Sequence, residues 1–81
     1  MKSDGQSYKD RITIDPKILV GKPVVTGTRI PVYLILNLIA NGYDFDQIIE
    51  SYPNLTHEDV RAALLYAAEV LEKRLIDRPL D

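Results

Sequence analysis

The sequence contains no cysteine and no tryptophan, and it has a single histidine, His57. Without cysteine the chain forms no disulfide and no thiolate metal site, and one histidine cannot supply the ligand cluster of a typical zinc centre. We therefore expect no metal, no cofactor and no enzymatic activity. His57 lies among acidic residues at a predicted helix start, so we interpret it as an exposed helix-start residue rather than a catalyst.

Long hydrophobic runs are also absent. The longest nearly unbroken apolar run, residues 30–40, is shorter than the ~18 residues that a membrane span needs. Residues 1–9 are polar and lack the apolar core of a signal peptide. We expect a cytoplasmic protein with no membrane partner.

The chain is short, with 81 residues, a mass of 9.2 kDa and 46% hydrophobic residues. This length fits one small domain, and the apolar content argues against disorder. We predict a flexible tail over residues 1–10, a single domain over 11–76 and a frayed end over 77–81. A small core without disulfides favours association, so we expect a homodimer or higher homo-oligomer, or a bound partner.

Charge is distributed unevenly along the chain, although the net charge is only −2. Residues 1–31 carry six basic and three acidic side chains, a net charge of +3. Residues 32–81 carry four basic and nine acidic side chains, a net charge of −5. A partner would therefore meet a basic amino-terminal part and an acidic carboxyl-terminal part.

The amino-terminal part shows β patterns. Residues 11–15 alternate apolar and polar side chains, which predicts a short strand that Pro16 ends. Val24-Val25 and Arg29-Ile30 flank Gly27, a residue that tolerates positive φ, so we predict a tight hairpin or paired loop.

Three helices follow. The first is predicted over residues 32–41, after Pro31 and before a left-handed cap at Gly42, and its apolar residues predict burial on most sides. The second, over residues 45–52, begins with the capping-box spacing Asp44 to Gln47.

The third helix begins at Thr56, with Asp59 at the same capping-box offset. Its helical periodicity predicts an inward face of Val60, Ala63, Leu64, Ala67, Leu71 and Leu75. Ala62, Leu65 and Tyr66 would then point elsewhere. Leu65 and Tyr66 then have two interpretations. They form an exposed protein contact, or the chain's own amino-terminal segment covers them.

A short second helix, a tight turn and a longer third helix match the layout of a helix-turn-helix. We predict a mainly α fold: a three-helix, homeodomain-like helix-turn-helix core with a small N-terminal β-strand or hairpin element. Acidic residues at the start of the third helix disfavour DNA there. The candidate DNA contacts are Arg11, Lys17, Lys22, Arg29 and Arg61. The candidate partner or dimer contacts are Ile12, Ile14, Leu65 and Tyr66.

Two motifs connect the chain with a known family. Gly27-Thr28-Arg29-Ile30-Pro31-Val32 is followed by Asn41-Gly42, and then by Tyr52-Pro53-Asn54-Leu55-Thr56 and the start of the third helix. This pattern resembles a small prokaryotic domain-of-unknown-function family regarded as antitoxins, over about residues 11–74. The resemblance implies a homeodomain-like helix-turn-helix protein that binds and silences a PIN-like ribonuclease toxin and represses its own operon.

Three function classes stay open at this point. The first is the antitoxin that the resemblance implies, the second is a stand-alone DNA-binding transcriptional regulator, and the third is a structural homo-oligomeric module. Arg29 has two interpretations, a contact residue or an anchor that bonds carbonyls of the hairpin. We favour the anchor, because the turn offers several carbonyls that need donors.

Overall fold

The computed structural model describes residues 8–77, with side chains described through Lys73. A 3-10 turn, Tyr8–Arg11, leads into strand β1, Ile12–Thr13. A second 3-10 turn, Leu19–Gly21, precedes strand β2, Val24–Val25. The three helices are α1 (Val32–Ala40), α2 (Phe45–Ser51) and α3 (His57–Asp77). Helical structure thus begins at Tyr8, three residues before the predicted start of the domain.

The small sheet is antiparallel, with Ile12 opposite Val25 and Thr13 opposite Val24. β1 is shorter than the predicted strand over residues 11–15. The predicted pairing of Val24-Val25 with Arg29-Ile30 is reduced to a bridge between Val24 and Pro31. Two hydrogen bonds make this bridge, from Val25 N to Ile30 O at 3.0 Å and from Val32 N to Pro23 O at 2.9 Å. The amino-terminal strand is therefore the main partner of β2.

Helix α1 ends as the sequence predicts. Gly42 has φ +97°, its N–H donates to Ile39 O at 3.0 Å, and the N–H of Tyr43 donates to Leu38 O at 3.0 Å. This pair of bonds is a Schellman cap. The predicted burial extends over most of the helix: Val32 and Ile35 are buried and Leu34, Leu36, Leu38 and Ile39 are half-buried. One side stays exposed, with Tyr33 at 53% and with Asn37 and Ala40.

Both predicted capping boxes are present. Asp44 Oδ1 accepts from Gln47 N at 2.8 Å, and Gln47 Oε1 accepts from Asp44 N at 2.9 Å. At α3, Thr56 Oγ1 accepts from Asp59 N at 3.1 Å, and Asp59 Oδ2 accepts from Thr56 N at 3.0 Å. These reciprocal bonds fix the starts of both helices.

The core lies where the three helices meet β2. It is a cluster of buried side chains from all of these elements and the turn before α3: Val25, Val32, Ile35, Ile48, Leu55, Val60 and Ala63. Partly buried side chains, among them Ile12 and Tyr66, pack against this cluster. No helix within residues 8–77 is both long enough and apolar enough to cross a bilayer.

The inward face predicted for α3 needs two corrections. Ala62 is 2% exposed, although it was predicted to point away from the core. Leu71 is 60% exposed, although it was predicted to point inward. The amino-terminal turn and β1 pack on α3 and widen its buried face. Leu71 lines an open cavity between α1 and α3, so α1 leaves its side chain uncovered.

Candidate partner-binding surfaces

Arg11 ties the amino-terminal turn to α3. Its Nη1 atom donates to Asp59 Oδ1 at 3.0 Å, and the Asp59 side chain is 12% exposed while that of Arg11 is 44% exposed. Each carboxylate oxygen of Asp59 thus accepts one hydrogen bond, Oδ1 from Arg11 and Oδ2 from Thr56 N. The guanidinium that the sequence offers for DNA is therefore occupied by a structural ion pair.

The other predicted DNA contacts lie on several elements. Lys17 follows an Asx-type turn, in which its own N–H donates to Asp15 Oδ1 at 2.9 Å, and its side chain is exposed. Lys22 Nζ lies 5.6 Å from the centre of the Tyr33 ring, a cation–π contact. Arg29 and Arg61 are exposed, in the turn before α1 and on α3 respectively.

Thr28 has the anchoring role that the sequence predicts for Arg29. The Thr28 hydroxyl donates to Val25 O at 2.8 Å and accepts from Ile30 N at 3.0 Å. Arg29 makes no side-chain hydrogen bond with any residue of the described part. The anchor interpretation of Arg29 is therefore wrong for residues 8–73, because a hydroxyl one residue earlier already satisfies the turn.

Helix α2 and the start of α3 carry an acidic surface. Its exposed carboxylates are those of Asp44, Asp46, Glu50 and Glu58. His57 Nε2 lies 2.8 Å from Asp46 Oδ1, and the rings of Phe45 and His57 stack with centroids 6.0 Å apart. These two contacts hold the two helix starts side by side. His57 is 58% exposed, in agreement with the predicted helix-start role.

A second surface is apolar and surrounds Val70 on the carboxyl-terminal half of α3. On one side, a cavity of about 350 Å³ is lined by the N-terminal segment and α3, including Ile12, Ile14, Tyr66 and Val70. On the other side, a cavity of about 380 Å³ lies between α1 and α3; its lining includes Tyr33, Leu36, Tyr66, Val70 and Leu71. Tyr66 and Val70 line both cavities, which together are called the Val70 surface. The α1 side of this surface is apolar, whereas Lys9, Glu69 and Lys73 make the other side mixed.

Three of the four predicted partner contacts meet at this surface. Ile12, Ile14 and Tyr66 line the same cavity, and Ile14 is 58% exposed. Tyr66 is half-buried and packs against the core, and residues of the amino-terminal segment line the cavity beside it. Leu65 is 38% exposed and lines neither cavity. The prediction missed Tyr33, Val70 and Leu71, since nothing in the local pattern of α3 signals the open cavity between α1 and α3.

Two further features of the N-terminal half carry unfavourable energy. Leu19 and Val20 have φ of 49° and 56°, and Val20 is 88% exposed. A left-handed backbone costs a β-branched residue about 1–2 kcal/mol. The Tyr8 hydroxyl is buried and has no hydrogen-bond partner among residues 8–73. Among the described side chains, no group of three or more His, Cys, Asp or Glu residues could hold a metal ion.

The fold therefore defines a small, mainly helical domain in which a two-stranded antiparallel sheet precedes three helices. The chain belongs to the family described as "Protein of unknown function (DUF433)", whose family model matches residues 12–67. Both sequence motifs lie inside these matched residues. The matched range also contains β1, β2, α1, α2 and the first half of α3.

Known proteins similar to the chain include one solved structure and two curated sequences. A crystal structure of a DUF433 member from Anabaena variabilis has a TM-score of 0.73 at 33% identity, covering 90% of this chain and 70% of that one. The "Uncharacterized protein y4eO" of Sinorhizobium fredii is 41% identical over 64 residues, which is 79% of this chain and 29% of that protein. An "Uncharacterized protein" of Archaeoglobus fulgidus is 61% identical over 23 residues, 28% of this chain and 64% of that protein. The chain thus spans less than two thirds of either curated relative.

Proposed function

We propose that this domain is a non-catalytic antitoxin that binds and neutralises a PIN-like ribonuclease through its acidic surface. The observation that carries the proposal is the set of four exposed carboxylates on α2 and the first turn of α3: Asp44, Asp46, Glu50 and Glu58. A ribonuclease must attract polyanionic RNA and so presents a positive surface. An acidic inhibitor surface complements that charge and competes with the RNA.

The homeodomain-like interpretation belongs to the same proposal. Helix α2, the connecting residues 52–56 and the longer α3 follow the order of a helix-turn-helix, and α1 packs against both helices. In such a motif the amino-terminal turn of the last helix approaches the bases. Here that turn carries Glu58, and its His57 contacts Asp46, so the region holds two negative charges that would repel phosphates. The arrangement therefore favours a protein partner at this surface.

The second candidate function is operator binding. It would serve autoregulation or a stand-alone DNA-binding role. It is supported by the exposure of Lys17, Arg29 and Arg61. These groups lie outside the acidic surface or at its border, so one molecule could hold a toxin and DNA at different sites. DNA affinity carried by them would fall with rising salt, in proportion to the number of phosphates contacted.

The test is to co-express this chain with the adjacent open reading frame. The products are then analysed by pull-down, size-exclusion chromatography and a ribonuclease assay. We expect a stable complex in which the nuclease is inactive. The double charge reversal Asp46→Lys and Glu58→Lys should weaken the complex at least about tenfold, equivalent to ~1.4 kcal/mol. The control is Glu72→Lys, an identical charge change at an exposed position of α3 outside the acidic surface.

The two candidates give different results. Failure of the neighbouring product to bind, or inhibition that the double reversal leaves intact, contradicts the antitoxin proposal as stated here. Salt-dependent binding to promoter DNA that Arg29→Ala and Arg61→Ala weaken supports the second candidate instead. Circular dichroism of each variant confirms that the fold is retained.

A further inference from the structure

The cap of helix α1 is built from an asparagine–glycine pair. The chain has three asparagines, of which Asn41 alone precedes a glycine, whereas Asn37 and Asn54 each precede a leucine. The Asn41 side chain is exposed, and a Cβ added at Gly42 would meet no atom within 4 Å. Because glycine has no side chain, its peptide nitrogen is the least hindered that the backbone offers. The labile amide of Asn41 thus lies next to an unhindered nitrogen and is open to water.

Such a pair can react with itself. The Gly42 nitrogen loses its proton and attacks Cγ of Asn41, a carbon–nitrogen bond forms, and the side-chain amide leaves as ammonia. The resulting succinimide ring takes up a water molecule, which opens it to an aspartate or, through its other carbonyl, to an isoaspartate. The two steps exchange ammonia for water and need no oxidant, metal or other co-reactant. The product carries a carboxylate in place of a neutral amide.

The folded cap holds the reacting atoms apart. The N–H of Gly42 donates to Ile39 O at 3.0 Å, which retains the proton that the reaction must remove. The Asn41 side chain is turned back along the helix, where its Nδ2 donates to Asn37 O at 2.7 Å. Ring closure needs the Gly42 nitrogen to eclipse Cβ of Asn41 about the Cα–C bond, but the Asn41 ψ of 14° places that nitrogen on the far side of the bond. The cap must therefore open before the pair can react.

We propose that Asn41–Gly42 is a self-modification site, which the folded cap keeps unreactive and which opening of the cap exposes. The product cannot rebuild the same cap, because a carboxylate cannot donate to Asn37 O. The new charge also lies among the free carbonyls at the negative end of the α1 dipole. In the isoaspartate an added backbone atom shifts the register of the Schellman bonds. The modification therefore makes opening of the cap irreversible, and it does not depend on the antitoxin proposal.

The first test follows amide loss by peptide mass spectrometry in the full chain, incubated at mildly alkaline pH in buffer and in unfolding urea. In urea, Asn41 should react at least about tenfold faster than Asn37 or Asn54, and Gly42→Ala should remove this difference, because a Cβ hinders the attack. In buffer, the Asn41 rate should fall at least about tenfold, since only the open fraction of the cap reacts. Equal rates for Asn41 in buffer and urea, or equal rates for the three asparagines in urea, would overturn the proposal.

The second test measures what the modification does to the fold. Asn41→Asp reproduces the aspartate product, and urea unfolding followed by circular dichroism gives its stability. We expect the ratio of unfolded to folded chain to rise about fivefold, through the lost hydrogen bond and the unfavourable charge at the end of α1. The control is Asn54→Asp, the same substitution at an exposed residue before α3, which should not raise this ratio. If Asn41→Asp is as stable as the unmodified chain, the modification does not hold the cap open and the proposal is wrong.

Discussion

The link between Arg11 and Asp59 gives a quantitative prediction for stability. Asp59 is 9% exposed and binds both Thr56 N and Arg11. Asp59→Ala removes a capping bond, at about 1 kcal/mol, and a charge-assisted hydrogen bond, at about 1.5 kcal/mol. The second figure is at the low end because Arg11 is 44% exposed. We therefore expect Asp59→Ala to lower the free energy of unfolding by about 2.5 kcal/mol, which lowers Tm by roughly 10–20 °C in a domain of this size.

The assay is urea unfolding followed by circular dichroism, applied to a double-mutant cycle. Arg11→Ala alone should cost about 1.5 kcal/mol, because it leaves the Asp59 carboxylate without its ionic partner. The double variant should cost no more than Asp59→Ala, which gives a coupling energy of about 1.5 kcal/mol. Glu50→Ala, at an exposed carboxylate on α2, is the control and should stay within about 0.5 kcal/mol of the unmodified chain.

The reasoning fails if the two single costs simply add in the double variant. Additivity would mean that Arg11 and Asp59 do not interact in solution, and the amino-terminal turn would then need another explanation for its place on α3. A coupling energy that persists at raised salt would further show that the buried side of the pair is protected from screening.

Three smaller predictions concern the turns and can be checked by thermal unfolding. Gly42→Ala should destabilise the domain by about 1 kcal/mol, because φ is +97° there and an added Cβ meets no atom that could compensate; an unchanged Tm would argue against the Schellman cap. Thr28→Val should cost about 1–2 kcal/mol through two lost hydrogen bonds, whereas Arg29→Ala should cost less than about 0.5 kcal/mol, and the reverse order would restore Arg29 as the anchor. Val20→Gly should raise stability by about 0.5 kcal/mol, because it relieves the left-handed strain of an 88% exposed side chain, and a loss of stability would contradict that strain.

The features predicted correctly from sequence are those set by neighbouring residues. The capping boxes at Asp44 and Thr56 each depend on two side chains three positions apart, and the Gly42 cap depends on one residue that accepts positive φ. Because these interactions are local, their spacing in the sequence is enough to locate three helices. The family motif around Gly27 and Pro31 is local in the same way.

Tertiary structure alone decided which faces these elements cover. Arg11 reaches Asp59 across 48 positions of sequence, and Asp46 meets His57 through the packing of two helices. Leu71 fits an inward helical pattern yet is exposed, because α1 and α3 leave an open cavity beside it. Ala62 is buried because the amino-terminal segment packs on α3. Helical periodicity specifies which residues share a face, but the identity of the neighbour, and whether one exists, depends on the lengths and packing of distant elements.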